Sequence, residues 1–310
     1  MGADGGVGAA SRTRYARNGE ASIAFEDLGG VGGSPLLLIM GMGVSRFWWP
    51  EGLVAELIDR GFHVLSYDQR DAGESTRFPH AGGGNPVVSV LRRKSAAYSA
   101  EDMTDDAVAV MDAIGWDSAH LLGASMGGQL AQRIALRHSG RVRTVTTVAS
   151  LPSDASGLAA VRFVRASTVA RLTRIASRVP AGRAGDIELG VAVARVLASP
   201  GYPFDEAGVR ARIARDARSG ARDIAAQSRQ AGAKWHSGRL AELRAPTLVM
   251  HGDADPLLRP AAGKATAAAI GGARLVILPG VGHDLPAATW PQVADEVRAL
   301  ADRAATREQE

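Results

Sequence analysis

Short apolar runs alternate along this 310-residue chain with longer segments in which apolar residues recur every three or four positions. The short runs are typical of buried strands and the longer spacing is typical of amphipathic helices. The pattern predicts two strands between residues 12 and 28 with a turn at Asn18-Gly19, then strands at 36–39, 64–67, 119–122, 142–149, 246–252 and 274–278. It predicts helices at 50–60, 100–114, 129–138 and 291–304. Such alternation indicates the α/β fold class, with a mostly parallel sheet and helices on both faces.

The alternation stops near residue 151 and resumes near residue 245. The residues between are rich in Ala and Arg and helical in composition, with breaks at 180–182 and 199–203. We expect one core domain, 1–150 and 245–310, with a helical cap (lid) inserted at 151–244. Such a cap would exclude water from a catalytic edge. The segment 77–97 has three consecutive glycines and no periodicity, so we expect a loop near the mouth of the pocket.

The sequence Gly-Ala-Ser-Met-Gly-Gly at 123–128 lies where a predicted strand gives way to a predicted helix. A serine between glycines at such a switch is typical of a nucleophile elbow, a tight turn that lifts the hydroxyl above the sheet edge. Ser125 is therefore the candidate nucleophile. The motif alone is weak evidence for a nucleophile, because chance matches are common in a chain with 37 glycines. Its position between a predicted strand and a predicted helix strengthens the assignment.

A serine nucleophile needs a base, usually a histidine oriented by a carboxylate, in the chain order Ser, acid, His. His283 follows the predicted strand 274–278 in a glycine-flanked loop and is the expected base. The other histidines carry weaker signals: His63, His120 and His251 lie in or beside strands and are expected to be packed, His138 ends a helix, and His80 and His236 lie in segments without clear periodicity.

Two carboxylates follow the predicted strand 246–252 and compete for the role of the acid. Asp255 is favoured because it lies further out on the loop and because Pro256 biases it away from helical geometry. Asp253 is expected to be a turn-forming aspartate that bonds to its own backbone. Asp284 is expected to be only a neighbour of the histidine.

The charge that develops on the substrate's carbonyl oxygen needs two backbone N–H donors, an oxyanion hole. One donor is expected from Met126, the residue after the nucleophile, and the other from the loop 40–43, with Met42 as the candidate. The tentative substrate pocket consists of Gly41, Gly43, Phe47 and Trp48. For the aromatic residues there, ordinary core packing is the competing interpretation.

These motifs resemble the α/β-hydrolase superfamily, and within it an esterase- and lipase-like branch that includes the aclacinomycin methylesterase. The similarity covers the loop 40–43, the segment 68–75, the elbow, Asp255-Pro256 and Gly282-His283. It implies Ser125 as nucleophile, Asp255 as acid and His283 as base. Many relatives carry His-Gly where this chain has Met40-Gly41, so the polar surroundings of that loop differ here.

The residues and the resemblance together predict a serine hydrolase that cleaves a small-molecule carboxylic ester through an acyl-enzyme intermediate. A methylesterase or thioesterase that tailors a polyketide-like metabolite is the nearest alternative. A non-catalytic ligand-binding protein on the same fold is a third reading, since one scaffold hosts many functions. No cofactor and no metal is implied, because the histidines are scattered and Asp102, Asp105 and Asp106 are expected at a helix surface.

Charge is uneven along the chain. Residues 162–244 carry sixteen Lys and Arg against seven Asp and Glu, a net charge of +9 in a chain of +4 overall. Such a segment can attract an anionic substrate, an acyl-carrier partner or a lipid surface, or can simply present solvated helix faces. No nucleic-acid motif occurs, no apolar run approaches the roughly 20 residues of a membrane span, and the first ten residues lack a signal-peptide pattern. A cytoplasmic location without nucleic-acid binding is expected, and the oligomeric state is left open.

Overall fold

The computed structural model describes residues 13–79, 97–216 and 223–309. The first ten residues, on which the signal-peptide argument rests, and most of the predicted loop 77–97 lie outside these ranges. No helix in the described part of the chain combines the length and apolar character that crossing a bilayer requires. The cytoplasmic location stays a prediction, as does the expectation that nucleic acid is not bound.

In the described ranges, eight strands form one sheet in the order β1-β2-β4-β3-β5-β6-β7-β8. The strands are β1 (Arg14–Asn18), β2 (Ala21–Gly29), β3 (Ser34–Ile39), β4 (Phe62–Tyr67), β5 (Ala119–Ala124), β6 (Val142–Val148), β7 (Thr247–Gly252) and β8 (Arg274–Leu278). Among the pairings of these eight strands, β1–β2 and β2–β4 are antiparallel and the others are parallel. The carboxyl ends of β3 to β8 therefore meet at one edge, where ligands bind in sheets of this kind.

Ten α-helices occur in the described residues. They are α1 (Glu51–Asp59), α2 (Ala100–Ile114), α3 (Met126–Arg137), α4 (Leu158–Val161), α5 (Ala166–Arg178), α6 (Arg183–Leu197), α7 (Glu206–Arg215), α8 (Ile224–Gly232), α9 (Ala261–Ala269) and α10 (Trp290–Gln309). The helix α9 was not predicted, because its sequence is nearly all Ala with no apolar periodicity. The helix after the elbow begins at Met126, three residues earlier than predicted.

The sheet buries both of its faces. Leu37 and Ile39 of β3 belong to a core formed with α2 and α3, whereas Leu36 and Leu38 belong to a second core formed with α1 and α10. Successive side chains of a strand point to opposite faces, so a strand covered on both sides is apolar throughout. This arrangement confirms the predicted α/β fold with helices on both faces.

The helix α2 has the predicted bounds, and Ser99 and Asp102 form a capping box at its start. The expectation that its three aspartates lie at the surface is wrong for Asp106, which is 1% exposed. Its carboxylate accepts hydrogen bonds from Arg70 Nε at 2.7 Å and from Asn18 Nδ2 at 2.9 Å. A charge is buried when a partner of opposite sign is buried with it, and the partner here comes from a distant segment.

The helices α4 to α8 all lie between β6 and β7 in the chain. The predicted breaks at 180–182 and 199–203 coincide with the ends of α5 and α6. The backbone N–H of His283 donates to the carbonyl of Leu197 at 2.8 Å, so the end of α6 contacts the loop after β8.

Candidate active site

Ser125 occupies the turn between the end of β5 and the start of α3. Its backbone has φ 53° and ψ −120°, a conformation that L-residues rarely adopt. Its N–H donates to the carbonyl of Val148 at 2.8 Å, which ties the turn to the neighbouring strand. Strain of this kind is retained where the surrounding structure fixes it, and it concentrates at functional sites.

Glycines make the turn possible because backbone approaches them closely. A Cβ at Gly127 would lie 2.0 Å from the carbonyl oxygen of Ile39, and one at Gly123 would lie 2.2 Å from that of Gly127. Side chains cannot fit at either position. The turn is therefore packed directly against the end of β3.

The structure brings the three predicted catalytic side chains together. His283 Nε2 lies 3.1 Å from Ser125 Oγ, and His283 Nδ1 lies 2.8 Å from Asp255 Oδ2. The serine and histidine are 158 residues apart in the chain, and the histidine and aspartate are 28 apart. The imidazole thus bridges a hydroxyl and a carboxylate, the arrangement that general-base activation of a serine requires.

Asp255 is fully buried. Its Oδ1 accepts the backbone N–H groups of Leu257 at 2.7 Å and Leu258 at 2.8 Å. Burial by itself would raise the pKa of Asp255, but His283, a hydrogen bond from His251 and the N–H of Leu258 hold that pKa well below its ordinary value. The carboxylate is therefore ionised at neutral pH and orients the imidazole.

His251 is the site neighbour that sequence reasoning placed only in the core. It is fully buried, and its Nε2 lies 3.4 Å from Asp255 Oδ2 and 3.3 Å from the carbonyl of Leu258. Among the described residues, its buried Nδ1 has no hydrogen-bond partner. In the sequence, only its position four residues before Asp255 indicated that His251 could lie near the candidate acid.

The competing acidic residues take other partners. Asp253 Oδ1 accepts the N–H of Gly280 at 2.7 Å and so links the loops after β7 and β8. Asp284 accepts a hydrogen bond from the hydroxyl of Ser199. Neither of these bonds involves His283.

The loop 40–43 lies beside the nucleophile. A Cβ added at Gly41 would lie 3.4 Å from Ser125 Cβ. The carbonyl of Met40 accepts a hydrogen bond from Gln69 Nε2, and the N–H of Gly43 donates to Gln230 Oε1 at 2.8 Å. The N–H of Gly43 therefore already donates to Gln230. Met42, the candidate oxyanion donor, lies between Gly43 and Gly41.

The aromatic residues of the tentative pocket contact the end of α7. Trp48 Nε1 donates to Asp216 Oδ2 at 2.6 Å. The guanidinium of Arg215 lies 5.0 Å from the centre of the Phe47 ring. Neighbouring Trp49 packs in the core with α1 and α10. A pocket-lining role for Phe47 and Trp48, and for Gly41 and Gly43, stays a prediction.

The segment 68–75, noticed in the sequence only as a family motif, holds charged side chains that are buried at the end of β4. Arg46 pairs with Asp68, Arg70 pairs with Asp106, and Asp71 receives two hydrogen bonds from Arg229 at 2.8 Å each. These ion pairs join the loop after β4 to distant parts of the chain. In the sequence, these ion pairs were indicated only by the charged residues that directly follow the buried strand β4.

Within the residues that the structure describes, no group of three or more His, Asp or Glu side chains is arranged to hold a metal ion.

Comparison with known proteins identifies the family to which the chain belongs. A family model described as the alpha/beta hydrolase fold matches residues 34–286. Two curated relatives are similar over almost the whole chain. Rhodomycin D methylesterase DauP of Streptomyces sp. (strain C5) is 29% identical, over 95% of this chain and 99% of its own. Rhodomycin D methylesterase DnrP of Streptomyces peucetius is 28% identical, with the same coverage of both chains.

Solved structures share the architecture at lower identity. The esterase RhEst1 from Rhodococcus sp. ECU1013 has a TM-score of 0.69 and 21% identity, over 95% of this chain and 99% of its own. The enol-lactonase from Burkholderia xenovorans LB400 has a TM-score of 0.63 and 22% identity, over 94% of this chain and all of its own. At these identities the likeness shows the fold alone. The family match, which covers most of the chain, goes further: the protein belongs to the α/β hydrolase family.

Proposed function

We propose that the protein is a serine hydrolase that cleaves a carboxylic ester through an acyl-enzyme intermediate. The observation that carries this proposal is the unbroken chain of contacts from Ser125 Oγ through His283 to Asp255, at 3.1 Å and 2.8 Å. The strained backbone of the elbow and the low pKa of Asp255 support it. Similarity to two methylesterases over nearly the full length supports an ester as the substrate.

In the acylation step, Ser125 Oγ forms a bond to the ester carbonyl carbon while its proton passes to His283 Nε2. The carbonyl electrons move onto oxygen, and the N–H groups of Met126 and Met42 stabilise that charge. The tetrahedral intermediate then expels the alcohol, which takes the proton from His283 as the C–O bond breaks. Asp255 remains ionised and stabilises the imidazolium.

Deacylation repeats the sequence with water as the nucleophile. His283 Nε2 accepts a proton from water as its oxygen bonds to the acyl carbon. The second tetrahedral intermediate releases the carboxylic acid and returns the proton to Ser125 Oγ. Every proton in the cycle is carried by His283, so neither a metal nor a cofactor is required.

We also propose that residues 151–244 form a cap over a core of 1–150 and 245–310. Contacts from this segment to the catalytic edge support the division: Leu197 binds the backbone of His283, Asp216 binds Trp48, and Gln230 binds the backbone of Gly43. A cap in this position would shape the acyl or alcohol pocket and exclude water.

A methyl ester of a polyketide-like molecule is the finer substrate proposal, because two relatives named rhodomycin D methylesterases match 95% of the chain. A thioester is the competing substrate, favoured by the net charge of +9 over residues 162–244, where Lys and Arg number sixteen and Asp and Glu seven. Turnover of matched oxygen and sulfur esters of one acyl group distinguishes the two.

The test is labelling with a fluorescent organophosphonate and hydrolysis of short p-nitrophenyl esters. The parent protein should be labelled once per chain and should turn over the esters. Ser125→Ala should lose labelling and nearly all turnover, whereas Ser177→Ala, at an exposed position on α5, should retain both. A parent protein that binds esters but neither hydrolyses them nor reacts with the probe would instead identify a ligand-binding protein.

A further inference from the structure

Gln230 is a buried amide on α8 whose two polar ends bind two different loops of the core. Its Oε1 accepts the N–H of Gly43 at 2.8 Å, across 187 residues of chain. Its Nε2 donates to the carbonyl of Arg70 at 2.8 Å. Both functional groups of the side chain are thus used, and both go to backbone.

The helix α8 is held against these loops by further contacts. Arg229, the preceding residue, makes two hydrogen bonds to the buried carboxylate of Asp71 at 2.8 Å each. Gly43 has φ +72°, and a Cβ there would approach Gln227 Cγ to 2.6 Å. The helix therefore packs directly on the backbone of the loop 40–43, and the glycine is what permits that approach.

The loop 40–43 is anchored at both ends by glutamines. Gln69 Nε2 binds the carbonyl of Met40, and Gln230 Oε1 binds the N–H of Gly43. Gly41 and Met42 lie between the anchors, and Gly41 adjoins Ser125. Because the Gly43 N–H belongs to the peptide that follows Met42, fixing it restricts the backbone rotation that aims the Met42 N–H.

We infer that Gln230 is a positioning residue for the oxyanion hole, and that α8 thereby couples the proposed cap to the catalytic machinery. This inference rests on the proposed function, in which Met42 supplies an oxyanion donor. A donor acts best when it is already aimed at the position that the oxyanion will occupy. Loss of the anchor should therefore weaken binding of the transition state more than binding of the ester itself.

The test replaces Gln230 by methionine, which keeps the length of the side chain and removes both hydrogen bonds. For Gln230→Met we expect kcat to fall about 10- to 100-fold with KM changed less than about threefold, since a misplacement of about 1 Å can cost 100-fold. Gln230→Glu keeps an acceptor for Gly43 but loses the donor to Arg70, so its kcat should fall less. If Gln230 served only to stabilise the fold, the kcat of Gln230→Glu would not exceed that of Gln230→Met in this way.

Gln132→Met is the matched control. Gln132 is also a buried amide that bridges backbone, to the carbonyl of Leu151 and the N–H of Ser153. Both methionine variants should lower the melting temperature, but only Gln230→Met should lower kcat out of proportion to folded protein. Equal kcat values in the two variants would overturn the inference, as would a fall confined to KM.

Two measurements separate this outcome from failure of the proposed function. If the parent protein neither hydrolyses esters nor reacts with the organophosphonate, the proposed function fails before Gln230 is tested. If the parent is active and Gln230→Met does not fold, Gln230→Asn decides, because its amide is one methylene too short to reach Gly43 from the same backbone: a kcat at the parent value overturns the inference, and a reduced kcat with unchanged KM supports it.

Discussion

Asp253 and Asp255 lie two residues apart in the loop after β7, and their carboxylates hold different elements. Asp255 Oδ2 binds the imidazole of His283 at 2.8 Å, whereas Asp253 Oδ1 binds the backbone N–H of Gly280 at 2.7 Å. The two aspartates thus attach the loop after β8 at two points, one through the side chain of the base and one through the backbone three residues earlier.

Neutralising each carboxylate in turn should separate orientation of the base from support of its loop. Asp255→Asn should lower kcat/KM by on the order of 10⁴-fold, because an amide in place of the carboxylate favours the wrong tautomer of the histidine. Asp253→Ala removes the acceptor of the Gly280 N–H, so it should keep most activity and lower the melting temperature. Steady-state kinetics and thermal unfolding of both variants test this, and comparable losses of activity would contradict it.

The elbow should tolerate no added methyl group at Gly127. A Cβ there would lie 2.0 Å from the carbonyl oxygen of Ile39, so Gly127→Ala should cost about 3 kcal/mol of unfolding free energy or more. Gly140→Ala is the control, because no atom of the described residues lies within 4 Å of a Cβ at Gly140 and the change should stay within about 1 kcal/mol. Urea unfolding of both variants measures the difference. Equal stabilities would contradict the close packing of the turn on β3.

The buried pair of Arg70 and Asp106 should be far more sensitive than an exposed pair on the same helix. Asp106→Asn leaves the guanidinium of Arg70 buried without its counter-charge, and we expect a loss of about 3–5 kcal/mol. Asp112→Asn removes the exposed partner of Arg141 and should cost less than about 1 kcal/mol. Denaturant titration of the two variants checks the prediction, which a similar small loss in both would contradict.

His120 should make the protein less stable in mild acid. Burial, with repulsion from Arg143 and Arg298, lowers the pKa of His120 from 6.5 to about 4. Between these pH values the unfolded chain binds a proton that the folded protein does not. The free energy of unfolding should therefore decrease as the pH falls from 6.5 to 4, by about 3 kcal/mol at most from this group.

Replacing His120 by glutamine should remove that part of the pH dependence. The measurement is the difference between the unfolding free energies at pH 7 and pH 5, compared between the parent and His120→Gln. Other titrating groups contribute equally to both proteins and cancel in the comparison. An unchanged difference would show that His120 does not titrate as its burial requires.

Local features of the molecule followed from the sequence. The helix α2 begins and ends at the predicted residues, because its capping box and its C-terminal glycine are signals within a few positions of its ends. The glycine pattern around Ser125 predicted the switch from strand to helix for the same reason. The choice of Asp255 over Asp253 used loop position and a proline, but nothing local shows which carboxylate reaches an imidazole 28 residues away.

The sequence by itself determined the alternation of strands and helices, the parallel sheet that follows from it and the turn that carries the serine. These features depend on hydrophobic periodicity, small residues and capping groups, which act between residues only a few positions apart in the sequence. Only the tertiary structure decided that Asp106 is buried with Arg70, that His251 lies against Asp255 and that Gln230 holds the loop at Gly43. Such contacts join residues that are brought close together by the packing of helices and strands. The partner of a buried polar group therefore depends on that packing and not on its neighbours in the chain.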